Sequence, residues 1–192
     1  MKHTLWIAFC LSLLLPSMAH CEGVVPPAQE WSFSKVRGTY DRESLRRGLQ
    51  VYREVCGACH GMYHLRYEKL KELGFTQNDV KAIAAEYEVV GPVGEDGQRT
   101  MQKAEPKDFF ARPFPTEAAA RSANNGAYPV DLSMVVKARK HGSDYVYALL
   151  TGYANPPASM HMAPGMHYNT YFPGHQIAMA PPLTDNQVTY PD

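Results

Sequence analysis

The sequence Cys-Gly-Ala-Cys-His, from Cys56 to His60, constrains this chain more than any other feature. Cys56 and Cys59 are spaced so that each thiol can form a thioether to one vinyl group of the same haem, and His60 follows as a ligand for the iron. Zinc sites and thioredoxin-like redox sites also use a Cys-x-x-Cys pair. A zinc site needs a second ligand pair, and the other cysteines, Cys10 and Cys21, lie far upstream. No βαβ pattern surrounds the motif, so a c-type haem is the favoured interpretation.

The first residues have the pattern of a secretory signal peptide. A short basic segment is followed by an apolar run from Leu5 to Leu15 and by small residues up to Ala19. The apolar run is well short of the roughly 20 residues that cross a bilayer as a helix, so an uncleaved anchor is the weaker alternative. Residues 1–19 are therefore predicted to be a signal peptide, and residues 20–192 to form one exported, periplasmic domain.

Composition limits both the partners and the packing of this domain. The 19 acidic and 19 basic residues balance, which gives no indication of nucleic-acid binding. Fifteen prolines and 14 glycines indicate that much of the chain is loop. A bound haem reconciles these facts, because it supplies a large apolar surface against which loops can pack. The sequence predicts a mainly α, c-type cytochrome fold with short helices and long irregular loops around one haem.

The first predicted helix leads directly into the haem motif. Asp41 and the charged turn after it indicate the start of a helix, which would run to Cys56 and hold the haem at its carboxyl end. One stripe of apolar or small residues follows the helical period, and it consists of Leu45, Gly48, Leu49, Tyr52 and Val55.

Three further helices are predicted downstream. Thr76 and Asp79 fit a capping box for a helix whose buried face extends through Val80, Ile83, Ala84 and Tyr87 to Val90. Gly91 to Gly97 is interpreted as a turn, and Met101 to Pro115 as a loop. Two helices are then expected, at Asp131 to Arg139 and at Ser143 to Leu150, before an irregular segment from Asn155 to Asp192.

The second axial ligand of the iron is the remaining chemical question. A thioether stabilises ferrous iron and raises the reduction potential, whereas an open position permits ligand chemistry. Met162 and Met179 both precede an Ala-Pro pair, whose proline stiffens the chain, and spacing alone does not separate them. The donors in this part of the chain are Met160, Met162, Met166, Met179, His161, His167 and His175.

Several longer segments together resemble one known family. RRGLQVYREV leads into CGACH and is followed, in order, by ARSANNGAYPVDLS, DYVYALLTGY and YFPGHQIAMAPPL. These segments resemble the cytochrome c1 family of the mitochondrial and alphaproteobacterial type. The resemblance runs from about residue 30 to the end of the chain, and it is far more specific than the haem motif alone.

The resemblance implies roles for particular residues. The methionine of the family's MAPP segment is the sixth iron ligand and corresponds to Met179, so the metal ligands would be His60 and Met179, and Met162 would be a packing residue. Arg121 corresponds to an arginine that contacts a haem propionate; from chemistry alone it could equally be a solvated helix charge. Family members often have a second proline where this chain has Val130. The residues expected to line the same haem edge are Asn124, Asn125 and Tyr128.

The chain departs from the family at its end. Family members continue past the MAPP segment into a closing helix and a membrane anchor, whereas this sequence stops at Asp192. The expectation is a C-terminally incomplete domain whose membrane anchor is missing from this chain. Gly48 and Tyr52 would then lack the helix that packs on them.

The function implied by the resemblance is one-electron transfer. The chain would be the haem c subunit of quinol–cytochrome c oxidoreductase, in the membrane together with cytochrome b, and would pass electrons from the Rieske iron–sulfur protein to a cytochrome c. It would count as an enzyme only as this electron-transfer subunit, since no residue pattern for bond-making catalysis is present. Acidic residues could help to dock a basic cytochrome, although solvated charges are the simpler interpretation; they are Glu86, Glu88, Glu95 and Asp96.

Two alternatives from other functional classes remain at this point. A stand-alone exported monohaem cytochrome c would carry electrons without membrane partners. A haem enzyme or gas sensor would leave the sixth position of the iron open to carbon monoxide or peroxide. Replacement of Met179 separates the second alternative from the others.

Overall fold

The computed structural model describes residues 23–190, so the predicted signal peptide lies outside the described range. The described chain is mainly helical, with short helices and long irregular loops, as the sequence predicts, and it also has two small sheets that were not predicted. No helix within residues 23–190 is both long enough and apolar enough to span a membrane. The elements are α1 (Arg42–Glu54), α2 (Gln77–Ala85), β1 (Glu88–Val93), β2 (Arg99–Lys103), α3 (Glu117–Ala123), α4 (Val135–Ala138), α5 (Gly142–Thr151), β3 (His167–Tyr168) and β4 (Gln176–Ile177), with 3-10 turns at Ser32–Ser34, Cys56–Ala58 and Tyr67–Leu73.

The hydrophobic core lies between α1, the 3-10 turn Tyr67–Leu73 and α2. Asp41 caps α1, as predicted, by accepting hydrogen bonds from the backbone N–H groups of Glu43 and Ser44. The Tyr67 ring is fully buried and stacks on Phe110, with 4.5 Å between ring centroids. The buried residues of this core are Leu49, Tyr52, Tyr67, Leu70, Val80, Ile83, Ala84, Ala104 and Phe110.

The predicted capping box of α2 is confirmed, but the predicted end of the helix is wrong. The Thr76 and Asp79 side chains each accept from the other's backbone N–H, and the helix stops at Ala85 rather than continuing to Val90. The following residues form an antiparallel hairpin of β1 and β2, in which Val90 pairs with Met101. The β-branched residues of β1 favour extended backbone, so the predicted turn and the start of the predicted loop are parts of this hairpin.

The two downstream helices agree with the sequence to different degrees. The prediction for α5 is confirmed, and His141 precedes it with a left-handed φ of 67°. The predicted helix from Asp131 to Arg139 is reduced to the single turn of α4. Asp131 instead accepts hydrogen bonds from the backbone N–H groups of Tyr63 and Ser133, so it anchors a loop rather than starting a helix.

Residues beyond α5 are mainly irregular, as predicted, and a polar side chain holds them together. Asn169 is fully buried, and its Nδ2 donates to the Leu149 carbonyl at 2.7 Å. Its Oδ1 accepts from the backbone N–H groups of Tyr171 and Phe172 at 3.0 and 3.2 Å. One residue therefore ties the end of α5 to the loop that follows β3.

An extended arm before α1 packs against α5. The indole Nε1 of Trp31 donates to Asp144 at 2.6 Å, and the backbone N–H of Gln29 donates to the same carboxylate oxygen. The Trp31 ring stacks on Phe33 and meets Tyr147 edge-on, with centroids 5.5 and 6.1 Å apart. The arm thus joins the beginning of the described chain to its carboxyl-terminal half.

Candidate functional site

The Cys56–His60 motif lies at the carboxyl end of α1. A short 3-10 turn follows the helix, in which the backbone N–H groups of Cys59 and His60 donate to the Cys56 carbonyl at 3.1 and 2.8 Å. Both thiols are free in the described part of the chain and half-buried. Burial raises the pKa of the Cys56 thiol, so this cysteine stays protonated at neutral pH. The motif places two thiols and one imidazole within five residues of sequence.

Tyr52 supports this turn from the core side. Its hydroxyl donates to the His60 carbonyl at 3.1 Å, and burial strongly raises the Tyr52 pKa, which keeps that donor protonated. A Cβ placed on Gly57 would lie 3.0 Å from the Tyr52 carbonyl oxygen and 3.6 Å from its ring. Because that fit is tight, glycine is favoured at position 57, directly after Cys56.

The His60 imidazole is oriented by a backbone carbonyl. Its Nδ1 lies 2.7 Å from the Val130 carbonyl oxygen. A carbonyl can only accept, so Nδ1 carries the proton and the Nε2 lone pair is left to bind a metal. The acceptor is a backbone atom, so the contact does not depend on the side chain at position 130.

The segments on either side of this contact are joined by three more hydrogen bonds. The Leu132 N–H donates to the Gly61 carbonyl at 2.9 Å. The N–H groups of Tyr63 and His64 donate to the side chains of Asp131 and Ser133 at 2.7 and 3.1 Å. The carbonyl that orients His60 is therefore part of a fixed loop.

Met179 is half-buried in the loop after β4. The Tyr153 hydroxyl donates to the Met179 carbonyl at 2.9 Å, and burial raises the pKa of Tyr153 to about 12. Met162 lines a pocket beside β3 whose lining does not include Met179. The structure thus distinguishes the backbone settings of the two methionines that spacing alone left equivalent.

Arg121 lies on α3 and is already paired. Its guanidinium donates to Glu117 at 2.8 Å and to the Gly126 carbonyl at 2.9 Å, and its side chain is 48% exposed. The guanidinium also lies 5.5 Å from the centre of the Tyr128 ring. These contacts agree with the alternative that Arg121 is a solvated charge on a helix. The contact between Arg121 and a haem propionate stays a prediction.

The other residues expected at that edge shape the end of α3. The Asn124 side chain donates to the Ala120 carbonyl at 2.8 Å. Asn125 and Gly126 follow with left-handed φ values of 51° and 87°. The turn brings Tyr128 past the end of α3, where its ring is 39% exposed.

Three of the four acidic residues considered for docking a basic cytochrome interact with other residues of this chain. Glu86 forms an ion pair with Arg53, and Glu88 with Lys103. Asp96 accepts from the Gln98 N–H and so stabilises the hairpin turn. The contacts of these three residues therefore support structural roles.

The sequence did not indicate the hydrogen bonds that position the site. Tyr153 carried no signal in the pattern, and its role follows from its hydrogen bond to Met179. Tyr52 was assigned only to the apolar stripe of α1, although its hydroxyl also reaches the turn. Backbone acceptors such as the Val130 carbonyl leave no trace in a residue pattern.

The chemistry of these donors fits a covalently attached haem. Two unpaired thiols with this spacing match the two vinyl groups, and an imidazole with a bare Nε2 matches the proximal iron ligand. Within residues 23–190, no group of three or more His, Cys, Asp or Glu side chains is arranged to hold a metal ion.

Comparison with known proteins identifies the family to which most of the chain is similar. A family model described as the Cytochrome C1 family matches residues 31–192. The potato protein "Cytochrome c1-2, heme protein, mitochondrial" is 45% identical over 88% of this chain and 65% of its own length. "Cytochrome c1, heme protein, mitochondrial" of Saccharomyces cerevisiae is 44% identical over 94% of this chain and 59% of its own length. In Candida albicans, "Cytochrome b-c1 complex catalytic subunit, mitochondrial" is 44% identical over 88% of this chain and 59% of its own length.

The chain spans between about half and two thirds of the length of the curated relatives it matches. Their names describe haem proteins, and one describes a subunit of the cytochrome b-c1 complex. The match covers the Cys56–His60 motif and Met179 in one continuous segment. The chain belongs to the cytochrome c1 family.

Proposed function

We propose that this chain is the one-electron carrier subunit of a quinol–cytochrome c oxidoreductase. It takes an electron from the Rieske iron–sulfur protein and passes it to a cytochrome c, and cytochrome b is its partner in the membrane. The observation that carries the proposal is the contact between His60 Nδ1 and the Val130 carbonyl, which leaves Nε2 available to bind iron directly after the Cys56–Cys59 pair in the sequence. Family membership supports the same conclusion.

The residues proposed to hold the cofactor act in distinct ways. Cys56 and Cys59 would bind haem c covalently through thioethers, and His60 and Met179 would ligate its iron. The haem supplies a one-electron ferrous–ferric couple when bound. Met179 stabilises the ferrous form and so raises the potential, and two protein ligands together exclude other molecules from the iron.

The hydrogen bonds around these ligands keep them in place. Val130 fixes the tautomer and ring orientation of His60, a type of contact that also raises the basicity of a ligating imidazole. Tyr153 restrains the backbone of Met179. Restrained ligands keep the same coordination in both oxidation states, which suits a group that only passes electrons.

Arg121 is the remaining member of the proposed haem-binding set. A propionate contact requires its guanidinium to share or to leave Glu117 and the Gly126 carbonyl. Arginine has five N–H donors, so sharing is chemically feasible. Arg121→Gln tests this assignment: a propionate partner should change the reduction potential, whereas a purely structural helix charge should not.

The proposed localisation of the subunit is the periplasmic face of a bacterial inner membrane. The signal-peptide pattern of residues 1–19 supports export, although these residues lie outside the described range. The proposed subunit does not catalyse the making or breaking of bonds in a substrate. Its residues serve to attach the cofactor, ligate its iron and shield it.

Replacement of Met179 tests the proposal, and Met162 provides the matched control. In protein with attached haem, Met179→Leu should lower the reduction potential by on the order of 0.1 V or more, within the roughly 0.8 V over which axial ligands act. It should also allow carbon monoxide to bind the ferrous iron. Redox titration and optical spectra measure both effects, and Met162→Leu should leave both unchanged.

Three results would contradict parts of the proposal. Purified protein without a covalently retained haem would remove its basis. An effect at Met162 in place of Met179 would reverse the ligand assignment. Isolation from native membranes without a b-type cytochrome and an iron–sulfur protein would favour a stand-alone carrier.

A further inference from the structure

The segment from Met160 to His167 has donors that the proposed function does not use. Its sequence, Met-His-Met-Ala-Pro-Gly-Met-His, contains three of the nine methionines and two of the eight histidines of the chain. From the position of these side chains, we propose that Met162, Met166 and His167 form a binding site for Cu(I).

The three proposed ligands line one pocket. Its volume is about 470 Å³, and it lies between the end of α5 and β3. Met162 and His167 are half-buried, and Met166 is 37% exposed, so an ion can enter from solvent. The remaining lining residues are Tyr153, Ala154, Asn155, Pro156, Tyr168 and Pro181.

The pocket borders the Met179 loop, since Pro181 lines it, but the proposed iron ligands are not part of its lining. Met179 and His60 are not among the residues that line it. The connection between the two sites is Tyr153, which borders the pocket and donates to the Met179 carbonyl at 2.9 Å. The copper proposal therefore does not depend on the haem proposal.

The position of Met162 is fixed by the side chain of Gln176 on β4. Gln176 Oε1 accepts from the Ala163 N–H at 2.9 Å, and its Nε2 donates to the His161 carbonyl at 3.4 Å. These bonds hold the residues immediately before and after Met162. One amide thus restrains the backbone from which the thioether projects.

Met166 and His167 are fixed by a turn and by a strand pair. The Met166 N–H donates to the Ala163 carbonyl at 3.1 Å, and Gly165 takes the left-handed φ of 75° that this turn requires. His167 then pairs with Ile177 across β3 and β4. The backbone of the proposed site is therefore ordered by its own hydrogen bonds, and binding need not order it.

The donor chemistry selects the metal. Thioethers are soft ligands that favour Cu(I), and an imidazole completes such a set. The lining residues include no carboxylate and no cysteine, so hard divalent ions such as Mg²⁺ and Ca²⁺ lack the oxygen ligands that they need. The uncharged wall also suits a monovalent ion better than a divalent one.

Competition for Cu(I) against bicinchoninate tests the site directly. The protein carries its attached haem, so that the thiols of Cys56 and Cys59 are not available, and it is reduced with ascorbate under anaerobic conditions. The expected result is the withdrawal of one Cu(I) per chain from the chelator, with no withdrawal of Zn(II) at the same concentrations.

The variants locate the ion. Met162→Leu, Met166→Leu and His167→Gln should each weaken Cu(I) binding by more than about tenfold, and Gln176→Ala, which removes only a supporting contact, should weaken it by about tenfold. Met134→Leu is the matched control, because Met134 is half-exposed and lies outside the pocket, and it should bind as the parent protein does.

Three outcomes overturn the proposal. The first is binding of less than one Cu(I) per chain. The second is equal binding by the parent protein and a triple variant of the three ligands. The third is a change in the haem spectrum with Met162→Leu, since Met162 would then be an iron ligand. Failure of covalent haem attachment would instead be seen before copper is added, so the two proposals fail in distinguishable ways.

Discussion

Residues 42–110 and residues 142–190 are held together in different ways. The first region has the continuous hydrophobic core around Tyr67, and it carries the Cys56–His60 motif. In the second region, which carries Met179, the buried hydrophobic residues are only Ala148 and Ile177, and a polar residue, Asn169, is fully buried. One proposed axial ligand thus lies on a packed scaffold and the other on a hydrogen-bonded loop.

The difference indicates where an apolar cofactor contributes to folding. The region before residue 110 buries enough side chains to form its own core, whereas the region after residue 142 buries few. A haem beside Met179 would supply apolar surface to the second region in particular. The carboxyl-terminal region should therefore depend more on the cofactor and on single hydrogen bonds.

The largest effect is expected from removal of the ring at the centre of the core. Tyr67→Ala should lower the free energy of unfolding by about 3–5 kcal/mol, because it deletes a fully buried ring stacked on Phe110. Urea denaturation followed by circular dichroism measures this loss. Tyr190→Ala is the control, since Tyr190 is 41% exposed, and a loss at Tyr67 no greater than that of the control would refute the central role of this core.

A somewhat smaller effect is expected at the polar centre of the second region. Asn169→Ala should cost about 3 kcal/mol, because it leaves three backbone groups without their partner. Hydrogen exchange should accelerate at Tyr171 and Phe172 and stay unchanged in α1. Asn155→Ala, at an exposed asparagine, is the control, and equal acceleration in both regions would mean that they unfold together.

The smallest effect concerns the hydroxyl of Tyr153. Tyr153→Phe should cost about 1 kcal/mol at neutral pH, because the Met179 carbonyl loses its donor. Redox titration should also show a change in the reduction potential of Tyr153→Phe. Tyr67→Phe is the control and should show no such change. Equal shifts in the two variants would contradict the assignment of Tyr153 to the Met179 loop.

The pH dependence of stability provides a second measure of this residue. Burial raises the Tyr153 pKa from an ordinary 10.0 to about 12, so the folded state keeps its proton more tightly than the unfolded state. The stabilisation is complete below pH 10 and decreases as the pH rises from 10 through about 12. Denaturation at a series of alkaline pH values should show this decrease in the parent protein and a smaller one in Tyr153→Phe.

Local chemistry made part of the fold predictable from the sequence. Asp41 and the Thr76–Asp79 pair form the helix caps that their residue types and spacing predict. The β1–β2 hairpin was missed because nearly all of its residues are exposed or only half-buried, so no alternating pattern marks it. Val90 moreover continues the apolar period of α2.

Long-range contacts explain what the sequence could not predict at the site. Asp131 caps a loop that includes Tyr63, a residue far from it in the chain, and the pattern around Asp131 looked like the start of a helix. Asn169 Oδ1 accepts a hydrogen bond from the backbone N–H of Tyr171, two residues later in the chain, as asparagine does in Asx-turns. That feature could have indicated a turn, but not its burial or its bond to Leu149.

The contact between Trp31 and Asp144 has a consequence for the order of events during synthesis. The two residues are 113 positions apart, so at ribosomal rates of 5–20 residues per second the arm waits on the order of 6–20 s before its acceptor exists. The helix α1 and its capping contacts can form within that interval. Docking of the indole is therefore a late step, and the fluorescence of Trp31 should report when the nascent chain has completed α5.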